Sequence, residues 1–428
     1  MTIDKLEIKN FRGIEDITLN LNEKSVVLFG ENGTGKSTVL DAIELALLSA
    51  FDTYPAEMDF PWDLSSVRFG EEQLRSFIMI GKDFFCINLD VMLKSLPYKL
   101  TIDKSTKYRD YACKNHEFIK AWNSLSENNE ESIPVLAYYQ PYRHIYSNYN
   151  PKEIILTSDQ DKRSVLRNAF DPNIQFGDFF TWFRQRSEME NAQKAHVDLS
   201  YEDMQLKAVI SAVLKMLPGF IDLTMGFFPL RIIAKKRDFE LSIEQLSDGE
   251  KSVLCMFADI ARRLALANPE ADNPLLGIGI VLIDEVDAHL HPSWQAKIMP
   301  ALMEAFPNIQ FIVTTHSPKV LSEYRGAVIG LVKDDGKIKP LLRPPLYLWD
   351  AGYILESEMD TELYNKDTLT RLQEIDKLIN RKELQAAERL IREFKSETEG
   401  EIHPGLLREE TLLWGAKSSE NNHKEGLH

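Results

Sequence analysis

The 428-residue chain carries only three cysteines, Cys86, Cys113 and Cys255, an odd number with no CxxC pair. That pattern argues against a disulfide scaffold or a zinc site and suits a reducing compartment. Long apolar runs are missing as well, since no segment approaches the roughly 20 residues that span a bilayer. The N-terminus, "MTIDKLEIKNFRG", alternates polar and apolar residues and lacks the apolar core of a secretory leader. The expected location is the cytoplasm, with no membrane partner. Basic charge is the third shortage: 50 Lys and Arg against 66 Asp and Glu give a net charge of −16. Coating nucleic acid by general electrostatics needs the opposite balance, which leaves a local basic patch or a basic protein partner.

What is present is an ordinary globular composition, 44% hydrophobic and 27% charged, over a length that fits about two to three structural units. "DKLEIKNF" and "ITLNLN" alternate like strands, and "SVVLFG" reads as a buried strand. A helix, "KSTVLDAIELALLSAF", follows a Gly-rich turn, and "YPAEMDFPWD" reads as a loop with two prolines. Residues 77–157 read as strand-rich and 160–218 as helical without sustained heptads, which rules out a long coiled coil. "GIGIVLIDE" and "IQFIVTTHS" are nearly continuous apolar runs, the pattern of strands covered on both faces. In the tail, Leu372, Ile375, Leu378 and Ile379, then Leu384, Leu390, Ile391 and Phe394, predict a helical hairpin broken near Asn380, with an exposed polar terminus after Trp414.

Three segments carry chemistry. "GENGTGKST", Gly30 to Thr38, matches the P-loop pattern between a buried strand and a helix start. Its glycines let backbone N–H groups curl around phosphates, Lys36 reaches the outer phosphates, and Ser37 offers a hydroxyl to Mg2+. Asn32, Gly33, Thr34, Gly35 and Thr38 complete the expected nucleotide cradle. "IVLIDEVDAHLHP" ends an apolar strand in Asp284 and Glu285, so that Asp284 supports Mg2+ and Glu285 polarises the attacking water, with Asp287 close behind. His289 and His291 lack a third ligand and read as turn braces rather than a metal site. "FIVTTHSP" places His316 on the same strand edge, where it would contact the γ-phosphate. Gln140, at the end of "VLAYYQ", is the candidate link between Mg2+ and the helical insert. "LSDGEK", 246–251, reads locally as a helix start, with Ser247 as N-cap and Glu250 closing a capping box.

Taken in order, "LEIKNFRGI", "ENGTGKST", "LSDGEK", "DEVDAHLHP" and "TTHSP" resemble the ABC-type ATPases of the SMC, Rad-fifty and RecF group, and within it the OLD-like heads. The resemblance spans most of residues 3–320 and implies an α/β ABC-ATPase head. That head is a P-loop core with an antiparallel β-subdomain, a short helical insertion and a C-terminal helical hairpin. It implies ATP and Mg2+ as cofactors, phosphate contact by Arg12, and a signature whose Ser247 and Gly249 complete the site of a second subunit. Asp248 and Glu250 stand where transporter signatures carry glycine and glutamine, which favours the SMC-like branch. The implied divisions are an N-terminal lobe over 1–75, a β-rich part over 76–158, a helical insertion over 159–225, a C-terminal lobe over 226–345 and a helical tail over 346–428.

OLD nucleases carry a metal-dependent Toprim domain. Here "VKDDGKIKP" offers the acidic pair of a hairpin turn without further carboxylates, so no nuclease is expected in this chain. Within the group the chain most resembles the PtuA family, the ATPase components of the bacterial Septu anti-phage system. That implies a homo-oligomer built from head-to-tail ATPase dimers, a PtuB-like HNH endonuclease subunit as partner, and DNA reached through the complex. Two other readings stay open: the ATPase of another two-gene defence system such as PARIS, and a RecF- or SMC-like repair ATPase that clamps DNA itself. Only "AKKRD", with Lys235 to Arg237, offers the last a basic patch.

Overall fold

A computed structural model describes residues 1–52, 71–107, 112–113, 115–127, 131–141, 162–172, 176–217, 219–362, 364–397 and 403–425. The loop expected at "YPAEMDFPWD" lies outside them. In chain order the elements begin with β1 (Thr2–Phe11), β2 (Ile14–Asn20), β3 (Val26–Phe29), α1 (Lys36–Asp52) and α2 (Glu71–Ser76). Next come β4 (Phe84–Leu93), β5 (Leu96–Ser105), β6 (Ala112–Cys113), α3 (His116–Glu127) and β7 (Val135–Tyr139). The helices α4 (Phe176–His196) and α5 (Met204–Met216) lead to β8 (Phe220–Phe227), β9 (Leu230–Lys236) and β10 (Glu240–Ser242). After α6 (Asp248–Ala267) come β11 (Gly279–Ile283), α7 (Pro292–Ala305), β12 (Ile309–Thr315) and α8 (Pro318–Glu323). The strands β13 (Ala327–Asp334) and β14 (Lys337–Arg343) precede α9 (Ala351–Glu358), α10 (Lys366–Asn380), α11 (Leu384–Glu397) and α12 (Pro404–Glu425).

The chain forms two compact units, Met1–Met359 and Asp360–His428. In the first, a six-stranded sheet runs β14-β13-β3-β12-β11-β7, parallel except for the edge strand β14. Every residue of β3, β7, β11 and β12 is buried, as their continuous apolar runs require. A five-stranded sheet, β2-β1-β4-β5-β6, is antiparallel, and β4 alternates buried and half-buried side chains along its length. Buried Gln310 of β12 joins the two sheets, accepting from the Ile3 N–H and donating to the carbonyls of Ile3 and Lys24. A third sheet, β10-β9-β8, leads into α6.

Two sequence expectations change. The stretch read as strand-rich contains α3, an amphipathic helix that buries Phe118, Trp122 and Leu125 against α1 and β5, where Phe51 meets the Trp122 ring edge-on at 5.1 Å. The tail expected from 346 onward starts at Asp360, because Ile354 and Met359 are buried in the core of the first unit. The helical hairpin is present as α10 and α11, and a third helix packs on both. In α12, Leu406 and Leu413 are buried in the same small core as Ile375 and Phe394, while Trp414 is exposed. The helix then runs on to Glu425. No helix among the described residues is long and apolar enough to cross a membrane.

The insert is seated by aromatics and one buried ionic cluster. In α4, Phe176, Phe179, Phe180, Trp182 and Phe183 are all buried. On α6, Asp259 is held by Arg262 and Arg263 at 2.8 Å each and accepts from the Tyr139 hydroxyl at 2.8 Å. Arg263 also donates to the carbonyls of Val165 and Arg167. Burial alone would raise the Asp259 pKa, but the two guanidiniums more than reverse it, leaving the carboxylate well below its usual range.

Candidate nucleotide site

Sheet register brings the candidate residues to one edge. Ile283 pairs with Tyr139 and with Val313, and Thr315 pairs with Phe29. Gln140, Asp284, His316 and Gly30 therefore leave four neighbouring strands at their carboxyl ends, the position where open α/β sheets bind ligands. The Asp284 N–H donates to the Tyr139 carbonyl at 2.8 Å, which ties the ends of β11 and β7 together where Asp284 and Gln140 begin.

The loop needs glycine where the pattern puts it. Gly30 has φ +145°, and a Cβ there would sit 2.3 Å from the Leu331 carbonyl oxygen of β13. Lys36 is buried and turns back over its own loop, donating to the carbonyls of Gly30 at 2.9 Å and Glu31 at 2.8 Å. Burial brings its pKa down to about 8, against the opposing pull of Asp284, Glu285 and Asp287. Ser37 is exposed in the first turn of α1, and Asn32 and Gly33 are exposed on the loop. Thr34 is buried, its hydroxyl donating to the Glu31 carbonyl at 2.8 Å, while Thr38 is half-buried.

Two threonines at the end of β12 orient the carboxylates of the β11 edge. The Thr314 hydroxyl donates to buried Asp284 and accepts from the Glu285 N–H at 2.7 Å. That bond holds Glu285 at φ +46°, a left-handed conformation that non-glycine residues seldom adopt. The Thr315 hydroxyl donates to Asp287, whose carboxylate also faces the His316 N–H at 3.4 Å. His316 is half-buried, and burial together with the Lys36 charge lowers its pKa, favouring the neutral imidazole. His291 caps α7 through its Nδ1, 3.3 Å from the Ser293 N–H.

The remaining candidates lie on other elements. Arg12, in the β1–β2 turn, pairs with Asp41 of α1 and lies over the Phe77 ring at 4.8 Å. Ser247 caps α6, and among the described residues its side chain bonds only Glu250: its Oγ donates to Oε2 at 2.8 Å and accepts from the Glu250 N–H at 3.3 Å. Gly249 packs on the segment after Asp287, where a Cβ would come within 2.7 Å of the His289 carbonyl oxygen. Sequence reasoning missed four participants: Thr314, Thr315, Asp41 and Tyr138. The doubled threonine before His316 signalled the first two, because a threonine is a hydroxyl donor that a buried strand tolerates. Asp41 and Tyr138 left no such sign, since their pairing depends on how α1 meets β7.

The chain has relatives among known proteins. A family model described as "AAA domain, putative AbiEii toxin, Type IV TA system" matches residues 25–322. The Retron Ec83 probable ATPase of Escherichia coli is 31% identical over 402 residues, covering 79% of this chain and 73% of that protein. Septu protein PtuA of Bacillus thuringiensis is 24% identical, covering 75% of this chain and 73% of its own. An SMC head solved with the C-winged helix domain of ScpA superimposes with a TM-score of 0.51 at 17% identity, over 80% of this chain and 98% of that one. The fold is that of an SMC-type ABC-ATPase head.

Proposed function

Since the chain belongs to the AAA domain family described as putative AbiEii toxin, Type IV TA system, we propose that it is an ABC-type ATPase of a bacterial anti-phage defence complex. Its relatives named as a retron ATPase and as Septu PtuA support that setting. The reading is carried by the convergence of Lys36, Asp284, Glu285 and His316 on one strand edge, wired by Thr314 and Thr315.

ATP lies with its β- and γ-phosphates in the Gly30–Thr38 loop, where Lys36 exchanges its two carbonyl partners for phosphate oxygens. Asp284, Glu285 and Asp287 outnumber Lys36 at this edge, and a polyanion entering it needs a divalent cation between the charges. Ser37, Asp284 and Gln140 would hold Mg2+, which supplies that charge neutralisation when bound. Glu285 polarises the attacking water, and the neutral His316 donates to the γ-phosphate. Arg12 adds a donor from the β1–β2 turn. Asp287 faces the neighbouring subunit.

The second half of the site comes from another copy. Ser247 and Gly249 open a 20-residue helix at an exposed turn, and the Ser247 side chain and the Gly249 N–H contact the γ-phosphate of a partner chain, giving a head-to-tail dimer. The assembled heads regulate a PtuB-like HNH endonuclease subunit, and DNA is engaged through that complex. Co-expression with the open reading frame beside the gene tests the partner claim: a stable complex is expected, and a chain that purifies alone and never binds the neighbour's product contradicts it. Salt-sensitive DNA binding by the isolated chain, stimulated by ATP, would instead favour a RecF-like clamp.

A further inference from the structure

Arg12, α1 and β7 meet at a carboxylate that the ATPase reading leaves without a role. Asp41 lies one helical turn after Ser37, with its side chain only 17% exposed. One of its oxygens, Oδ2, accepts from Nη1 of Arg12, and the other, Oδ1, accepts from the Tyr138 hydroxyl at 3.0 Å. Tyr138 is buried in β7, two residues before Gln140. Arg12 itself is anchored at its base. Its backbone has φ +50°, and its N–H donates to the Phe77 carbonyl at 2.7 Å. A guanidinium has five N–H donors, and the bond to Asp41 uses one nitrogen. Nε and Nη2 of Arg12 have no hydrogen-bond partner among the described residues.

We propose that Asp41 is a positioning residue: braced by the Tyr138 hydroxyl, it fixes the Arg12 guanidinium so that its remaining donors face the phosphates of bound ATP. A long side chain that is ordered beforehand loses less freedom when the ligand arrives, and the planar fork suits such pre-organisation. The brace also ties Arg12 to the strand that carries Gln140, so two phosphate-side contacts share one support. The inference rests on the reading of Arg12 as a phosphate contact.

Calorimetric titration of the full chain with ATPγS tests both, alone and in a double-mutant cycle. Arg12→Ala should weaken binding about tenfold. Asp41→Asn keeps the shape and still accepts from Tyr138 but loses the charge; a loss of about fivefold is expected, shrinking to less than about twofold in the Arg12→Ala background. Tyr138→Phe should show a smaller loss that also vanishes in that background. For Asp41→Asn and Tyr138→Phe the loss should appear in KM rather than in kcat. An equal Asp41→Asn loss in both backgrounds, or none in either, overturns the positioning role while leaving the Arg12 reading standing. Unchanged affinity in Arg12→Ala overturns the Arg12 reading, and the proposal with it.

Discussion

The P-loop edge and the signature segment are two halves of one ATP site in the proposed dimer, yet they are built in opposite ways. At the edge, Asp284, Asp287, Lys36 and the Glu285 backbone are each tied to a named partner within the chain, and Asp284 and Lys36 are buried. At the signature, Ser247 is exposed and among the described residues its side chain answers only to Glu250, one turn along the same helix. A buried edge can be organised before any ligand arrives, because its threonines and strand register hold the carboxylates in place. An exposed, self-capped helix start is held by its own first turn, with Glu250 closing the box on Ser247. In the proposed dimer, then, one half is finished by folding and the other by assembly.

Breaking the finished half should have the largest effect. Glu285→Gln should reduce ATP turnover about a thousandfold while ATP binding, measured by calorimetry, is retained. Loss of binding along with turnover would place Glu285 in the cradle instead. Next comes the support beneath that half, the Asp259 cluster that links α6 to β7. Asp259→Ala leaves two buried guanidiniums without their carboxylate and should cost about 3 kcal/mol in denaturant unfolding. Ser247→Arg attacks the waiting half: turnover should fall about a hundredfold, with ATP affinity of the single head unchanged. The lost N-cap should also lower stability by about 1 kcal/mol, a cost that Ser247→Ala shares without the bulk.

A further effect sharpens the comparison from the stability side. Glu44, one helical turn from Asp41, has its pKa raised to about 8, chiefly by burial and then by Asp41, with Arg12 opposing. The folded chain therefore keeps this proton above the ordinary value of 4.5, where the unfolded chain has lost it. Its contribution to stability is full below that value and is lost as pH rises toward 8. Glu44→Gln should remove this slope and raise stability at pH 8 by about 1–2 kcal/mol, as read by urea unfolding at pH 5 and pH 8. An unchanged slope would assign the pH dependence to another group.

Much of this was legible because the chemistry sits next to period signals. "GENGTGKST", "DEVD" and "TTHS" each come directly after a continuous apolar run, and a strand buried on both faces delivers the residues beyond its carboxyl end to the sheet edge. The α6 start was legible from Ser247 and Glu250 alone, and the structure forms that capping box. Helix α3 was less visible between strands, since its Phe118, Trp122 and Leu125 face reads equally as strand residues in a short window. The third tail helix was hidden by the polar residues around Leu406 and Leu413, too few to announce a face. Asp41 and Tyr138 were out of reach, because they are 97 residues apart and no local pattern joins them.

The central claim, that one chain's finished edge is completed by another chain's signature, is tested most directly by mixing two inactive variants. Glu285→Gln has a dead edge and a sound signature, and Ser247→Arg has the reverse. A mixed dimer rebuilds one intact site from the Ser247→Arg edge and the Glu285→Gln signature, so the mixture should hydrolyse ATP well above the sum of the two proteins measured apart. Activity equal to that sum at every mixing ratio would contradict the shared site.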